Sequence, residues 1–343
     1  MTDQAYPEAA APAPAATAAP RPGMRRRLAD GITAFLVIGT LKLVLYAPEW
    51  LVWGGAGIAG RISYRLSASR RDMARKNLRR VVEWMAANNV GEERYRAAAT
   101  DPKALEGLVR AAFVHHALYY VELARAPRFT TAWVAERLEV ENSAEAEAWM
   151  VPGKAFILCG MHFGAIEVPG VYVVTRVRRI VSPMESVGNA RIQHYIYATR
   201  DTIGIRLVGL EDGARELLAA LRRNEAVGVV ADRIIAGGGV EVELFGAPTK
   251  IPAGPVLLAA ETGATMYVAG VRRISRGRYR GGVRQLHPAE GASRKERSRA
   301  MAREEARLFE ERVATAPEQW LSIFYPIWPD LEQPQMTPAG DRA

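Results

Sequence analysis

Phe156-Ile157-Leu158-Cys159-Gly160-Met161-His162-Phe163-Gly164-Ala165-Ile166-Glu167 sets an imidazole five positions ahead of a carboxylate. Two side chains five apart in one helix point about 140° away from each other, so the pair meets only if His162 lies outside a helix and Glu167 inside its start. The apolar run before His162, the glycine at 164 and Pro169, which a first helical turn tolerates, permit that arrangement. The carboxylate then holds one ring nitrogen and leaves the other to accept a proton, the base-plus-orienter logic of triads. No serine or cysteine nucleophile is needed when that proton comes from a substrate hydroxyl. The chemistry expected is a general base that activates an alcohol for direct attack on an acyl donor. Against this stands a plainer reading, since His-x4-Glu arises often by chance and a lone histidine is more often structural.

Other chemistries find less support. Cys159 sits inside an apolar run and reads as a buried strand residue rather than a nucleophile. Gly55-Ala56-Gly57-Ile58-Ala59-Gly60 has the spacing of a dinucleotide fingerprint but lacks the preceding strand and the following acid, so it reads as small residues that let helices approach closely. Gly237-Gly238-Gly239 has no Lys-Ser/Thr after it and reads as a turn. His115, His116, His194 and His287 form no metal-ligand spacing, and neither a metal nor a resident cofactor is expected.

The elements that must position His162 and Glu167 come from periodicity. Short apolar runs at Ala155–Met161, Ala226–Ala231 and Met266–Val271 alternate with helical stretches such as Gly213–Arg223 and Pro255–Thr262. That alternation predicts an α/β fold with a parallel or mixed sheet flanked by helices. Residues 81–150 read as helical, with Leu105–Arg125 the clearest amphipathic segment, and Arg294–Thr315 reads as a charged surface helix. Arg176, Arg178 and Arg179 after the His162 region are candidates for a phosphate. The acid-free run Arg272, Arg273, Arg276, Arg278, Arg280 and Arg284 reads equally well as an exposed hairpin.

The chain has 343 residues, 49% hydrophobic and 24% charged, which excludes a fully disordered chain, a collagen-like repeat and a disulfide scaffold. Its net charge of +9 suggests an anionic partner. Residues 1–80 hold 13 basic and 5 acidic residues, a net of +8, so the excess belongs to the N-terminal part. Residues 1–23 are an Ala/Pro tail expected to be disordered, and 24–80 a membrane-associated helical and basic segment. Residues 81–330 are expected to form the catalytic domain, continuous with that segment, and 331–343 a C-terminal tail. Between Ile32 and Gly60 the most apolar stretch is interrupted by Lys42, Pro48 and Glu49, which argues for two helices meeting near Pro48 in the membrane plane, with Trp50 and Trp53 at the headgroup level. The packing alternative is a helical hairpin on the protein's own core. Arg71, Arg75, Lys76 and Arg79 share one face of the next helix, where each charge adds about 1 kcal/mol of attraction to an anionic leaflet before screening.

His162 to Glu167 resembles the His-x4-Asp/Glu signature of the lysophospholipid acyltransferase superfamily, in the branch of lipid A and phosphatidylinositol mannoside acyltransferases. Further blocks resemble the same branch in the same order. They are Arg71–Leu78, Ala231-Asp232-Arg233, Gly239–Gly246, Ile251–Pro255 and Pro317-Glu318-Gln319-Trp320. The resemblance implies a glycerolphosphate acyltransferase-like fold and transfer of an acyl chain from acyl-CoA or acyl carrier protein, a co-substrate, to a glycolipid hydroxyl. It implies His162 as base and Glu167 as its charge-relay partner, with Arg200, Asp232 and Arg233 as substrate-binding positions. Where some relatives carry a second acid after Asp232-Arg233, this chain has Ile234. Glutamate at 167 is the lipid A form, whereas Gly254-Pro255 and Trp320 to Trp328 look closer to the mannoside enzymes. Expected partners are a phospholipid surface, the glycolipid and the thioester, without nucleic acid, at the cytoplasmic face of the cell membrane. Backbone amides at the helix start after His162 are expected oxyanion donors. A rival of another class is a non-catalytic protein that binds anionic lipid.

Overall fold

The computed structural model describes residues 24–141, 153–177, 179–235, 238–287 and 293–331. The tail 1–23, nearly all of the C-terminal tail, Arg178 and Gly237 lie outside them.

Seven strands form a central sheet in the order β1-β9-β8-β2-β5-β3-β4. They are β1 Leu138–Glu141, β2 Phe156–Gly160, β3 Ile180–Met184, β4 Ile205–Gly209, β5 Ala226–Val230, β8 Thr265–Ser275 and β9 Arg278–Gln285. Strands β8, β2, β5, β3 and β4 run parallel, whereas β9 pairs antiparallel with β8 and parallel with β1, so the sheet is mixed. A separate antiparallel hairpin, β6 Gly239–Leu244 and β7 Ala247–Pro252, follows β5. The expected α/β class is met, and the apolar runs become β2, β5 and β8.

Side chains of a strand alternate between its two faces, and each face of β2 is buried. Ile157 and Cys159 join one core and Phe156 and Leu158 the other. Met266 and Val268 of β8 likewise face the first core, Tyr267 and Ala269 the second. Cys159 is fully buried, as its place in the run predicts.

Helices α1 Met24–Tyr46, α2 Glu49–Leu66, α3 Ala68–Ala87 and α4 Pro102–Arg125 form one flank. Later come α5 Thr131–Arg137, α6 Glu167–Val174, α7 Ala190–Asp201, α8 Leu210–Arg222, α9 Gly254–Thr262 and α10 Arg294–Val313. Helix α4 starts where Asp101 accepts from the Lys103 amide and proline occupies the first turn. The expected helical span 81–150 is corrected at β1, whose four residues pair with β9.

The break between α1 and α2 falls at Pro48, as read from the sequence. Of the glycines just before Arg61, Gly60 is the one that permits close packing, because a Cβ there would lie 2.6 Å from the Val114 Cα of α4. Leu28–Tyr46 of α1 is long and apolar enough to cross a membrane, and only 11% of it is buried.

Much of the basic charge on α3 is spent inside the molecule. Arg75 pairs with Asp72 at 2.6 Å and Glu106 at 2.9 Å, Arg80 pairs with Asp330 at 2.6 Å, and Arg71 donates to the Tyr64 and Arg65 carbonyls. Arg61, Arg65, Lys76 and Arg79 form no ion pair with any of the described residues.

Candidate active site

Strands β2 and β5 are parallel neighbours with Gly160 opposite Val230, and the Ala231 amide donates to the Gly160 carbonyl at 3.0 Å. The residues that leave these strands therefore emerge side by side at their carboxyl ends, where open α/β sheets place ligands. His162 leaves β2 and Asp232 leaves β5. The imidazole Nδ1 lies 2.8 Å from Asp232 Oδ1, and the His162 backbone amide donates to Oδ2 at 3.1 Å. Trp320 Nε1 and Ser322 Oγ donate to the same Oδ2, each at 2.8 Å. Burial pushes the Asp232 carboxyl up, but the imidazole and the hydrogen bonds from His162, Trp320 and Ser322 outweigh it and hold it below the ordinary range. An ionised carboxylate on Nδ1 fixes the proton there, so Nε2 presents its lone pair. Nε2 makes no hydrogen bond with any of the described residues, and the side chain is 25% exposed.

The turn after His162 is held from three sides. Its carbonyl accepts from the Leu321 amide at 2.6 Å, the Gly164 amide donates to the Gln319 carbonyl at 2.9 Å, and the Ala165 amide donates to the Val271 carbonyl at 2.9 Å. Gly164 has φ of 55°, and a Cβ there would lie 2.0 Å from the Val271 oxygen, so only glycine fits. Buried Arg273 donates to the Gly164 carbonyl at 2.8 Å while paired with buried Glu122 at 2.5 Å, and Tyr279 also donates to Glu122. Arg273 is thus no member of a free phosphate cluster. On the antiparallel strand Arg280, opposite Arg272, pairs with Glu139 at 2.6 Å. The Phe163, Gly164 and Ala165 amides donate to protein carbonyls, which leaves the expected oxyanion donors at the start of α6 itself.

Glu167 opens α6 as predicted, but the imidazole's carboxylate partner is Asp232. From the first position of α6, Glu167 Oε1 accepts instead from Arg200 Nη2 of α7 at 2.9 Å. Arg200 also donates to the Leu123 carbonyl at 2.6 Å and is buried. Four of the five candidate residues therefore form two pairs, His162 with Asp232 and Arg200 with Glu167. Arg233 stands apart: its guanidinium lies over the Tyr325 ring at 4.2 Å and 3.4 Å from Glu185.

The sequence model described as bacterial lipid A biosynthesis acyltransferase matches residues 23–326. The chain belongs to this family. It is an acyltransferase, and its relatives point to glycolipid acylation. It is 27% identical over 230 residues to a phosphatidylinositol mannoside acyltransferase of Mycolicibacterium smegmatis, covering 66% of this chain and 70% of that one. Two phosphatidylinositol mannoside acyltransferases of Mycobacterium tuberculosis are 28% and 29% identical over 176 residues, 50% of this chain and 54% of each relative, so the match spans about half their length.

For an acyltransferase the informative feature is the cavity lined by Glu167 and Arg200 and by Met161 and Phe163, which flank His162 in the chain. It encloses about 360 Å³ and is walled mainly by apolar side chains, among them Phe163, Ile166, Pro169, Ile196, Leu207 and Val230. Glu167 and Arg200 are the charged residues in its wall. The described residues contain no cluster of three metal-ligating side chains. Hydrogen bonds from Trp320 and Ser322 to Asp232 were not foreseen, although the block Pro317–Trp320 signalled that the C-terminal segment matters.

Proposed function

We propose that this protein transfers a fatty acyl chain from acyl-CoA or acyl carrier protein to a hydroxyl of a phosphatidylinositol mannoside or related glycolipid, at the cytoplasmic face of the membrane. His162 acts as general base and Asp232 as the carboxylate that orients it. Glu167, the relay partner that the family resemblance implies, supports the site through Arg200. The observation that carries this reading is an imidazole whose Nδ1 is held by a buried carboxylate and whose Nε2 has no partner among the described residues, in a turn where the flanking Met161 and Phe163 line an apolar cavity.

In the reaction, Nε2 takes the proton of the acceptor hydroxyl as its oxygen attacks the thioester carbonyl. The carbon–sulfur bond of the tetrahedral adduct breaks, and the departing thiolate takes the proton back from the imidazolium. The apolar cavity suits the acyl chain, and no covalent acyl-enzyme is required. The oxyanion falls to the Ile166 or Glu167 amide or to substrate-facing side chains, since the Val168 amide already donates to the Ala165 carbonyl.

The docking element fits a membrane protein that lies in the leaflet rather than across it. The Asp30 carbonyl accepts from Asn189 at 2.9 Å, and the Val44, Leu45 and Ala47 carbonyls accept from Arg125 and Arg128. These ties are about 25 Å apart along the chain at helical rise, and both hold α1 to the same domain. The outer face of α1 and α2, with Phe35, Leu36, Leu43, Trp50 and Ile58 exposed, is then free to enter the leaflet.

Purified His162→Ala, assayed with labelled palmitoyl-CoA and vesicles containing phosphatidylinositol mannoside, is expected to lose about 10²- to 10⁴-fold in turnover. A wild-type rate in that variant rejects the base assignment. Lipid mass spectrometry of a deletion strain names the acceptor. The expected result is loss of an acylated phosphatidylinositol mannoside, and loss of an acyl chain from lipid A would reassign it, as the family's description allows.

A further inference from the structure

The C-terminal segment Gln319–Tyr325 lies far from His162 in sequence, yet it hydrogen-bonds to both members of the catalytic pair. It gives two side-chain donors to Asp232, Trp320 Nε1 and Ser322 Oγ, both at 2.8 Å. Its backbone grips the turn after β2, with the Leu321 amide on the His162 carbonyl and the Gln319 carbonyl on the Gly164 amide. The segment is itself fastened from outside the site. Asn77 of α3, buried, donates to the Ile323 carbonyl at 2.7 Å and the Tyr325 carbonyl at 2.8 Å. The Arg70 guanidinium lies 4.7 Å from the Phe324 ring centroid. The Gln319 side chain exchanges two hydrogen bonds with the Arg273 backbone, both at 2.9 Å.

We propose that Trp320 and Ser322 are positioning residues, carried on a strap anchored by α3, that hold the Asp232 carboxylate in the plane and charge state in which it orients His162. This inference rests on the base assigned above. The physical argument is one of satisfaction. A carboxylate in the protein interior must be fully hydrogen-bonded to stay ionised, and the imidazole and one backbone amide leave Oδ2 short of donors. Trp320 and Ser322 supply the missing ones, and both are themselves buried, so water has no access to replace them. They also set basicity. Each donor spreads the carboxylate charge, and with fewer donors Asp232 would hold a proton more tightly, which carries the acid limb of the activity to higher pH.

The test uses the full chain with labelled palmitoyl-CoA and phosphatidylinositol mannoside vesicles. Ser322→Ala and Trp320→Phe are each expected to lower kcat about tenfold, the scale of a hydrogen bond to a charged group, with KM for palmitoyl-CoA unchanged. The acid limb of the kcat/KM profile moves to higher pH in both, and Ser322→Thr, which restores a hydroxyl, returns kcat and the limb toward wild type. Unchanged kcat and an unmoved acid limb in folded Ser322→Ala and Trp320→Phe overturn the proposal and leave the strap as packing alone. If Trp320→Phe does not fold, the alanine and threonine pair at 322 decides. Asp232→Asn in the same assay separates the two readings. Inactive Asp232→Asn beside normal strap variants rejects the strap's role only, whereas fully active Asp232→Asn rejects the oriented base and the strap with it.

Discussion

Two buried carboxylates in the same core have opposite fates. Asp232 accepts from His162 twice and from Trp320 and Ser322, and is held below the ordinary carboxylate range although burial opposes this. Glu305 of α10 is equally buried, and among the described residues no nitrogen or oxygen donor reaches its oxygens, only the weak thiol of Cys159. Burial pushes it up to about 8, the nearby Asp232 charge adds to the rise, and only the Cys159 thiol opposes it. Depth in the core is therefore no guide to charge here. The donors that a strand edge and the strap bring to one oxygen decide it, and the acid left with a weak thiol donor stays protonated at neutral pH.

The largest expected effect comes from removing the charge of the satisfied acid. Asp232→Asn keeps the shape but offers an amide to Nδ1, which favours the tautomer with its proton on Nε2 and leaves no base. Turnover should fall about 10²- to 10⁴-fold with little change in melting temperature. A variant that keeps its rate would mean that Asp232 is merely a buried anchor like any other.

Glu167 supplies the next effect, because it is the acid that the His-x4-Glu spacing nominates. Its partner Arg200 has a side chain only 5% exposed, so Glu167→Ala strands a buried guanidinium. The cost should be about 3–5 kcal/mol of stability, read by denaturant melts, whereas Glu167→Gln keeps an acceptor and most of that stability. Should Glu167→Gln instead melt like wild type and lose activity as severely as Asp232→Asn, the relay role would pass to Glu167.

What the sequence revealed follows from the range of each interaction. The strand at Phe156–Gly160, the amphipathic α4 and the helix opening at Glu167 rest on local periodicity and helix-start signals, and each was legible. The partner of His162 was not, because Asp232 is 70 residues away and meets it only through the register of β2 with β5. Arg200 carries no mark that it will reach Glu167 across 33 positions, and the arginines of α3 show their charge but not the distant Glu106 and Asp330 that absorb it. Charge density in a sequence counts ionic groups before their partners are known, so the basic stretch overstated what is left for a membrane. Trp320 was legible only as part of a family-like block, without the oxygen it serves.

The smallest effect isolates the unsatisfied acid. Glu305 binds its proton more tightly in the folded chain, at about 8, than in the unfolded chain, near the ordinary 4.5. The folded state thus holds more protons between those values, and stability falls as pH rises through that window, by at most about 1.4 kcal/mol per unit. Glu310, pushed up to about 7 by burial, adds a slope of the same sign, so the wild-type curve alone assigns nothing. The difference between wild type and Glu305→Gln does. That variant carries no proton to lose, so its advantage should be about 2 kcal/mol larger at pH 8 than at pH 6, measured by denaturant melts at both. Parallel curves for the two proteins would show that Glu305 is already ionised at pH 6, that some donor reaches it, and that the contrast with Asp232 is one of degree.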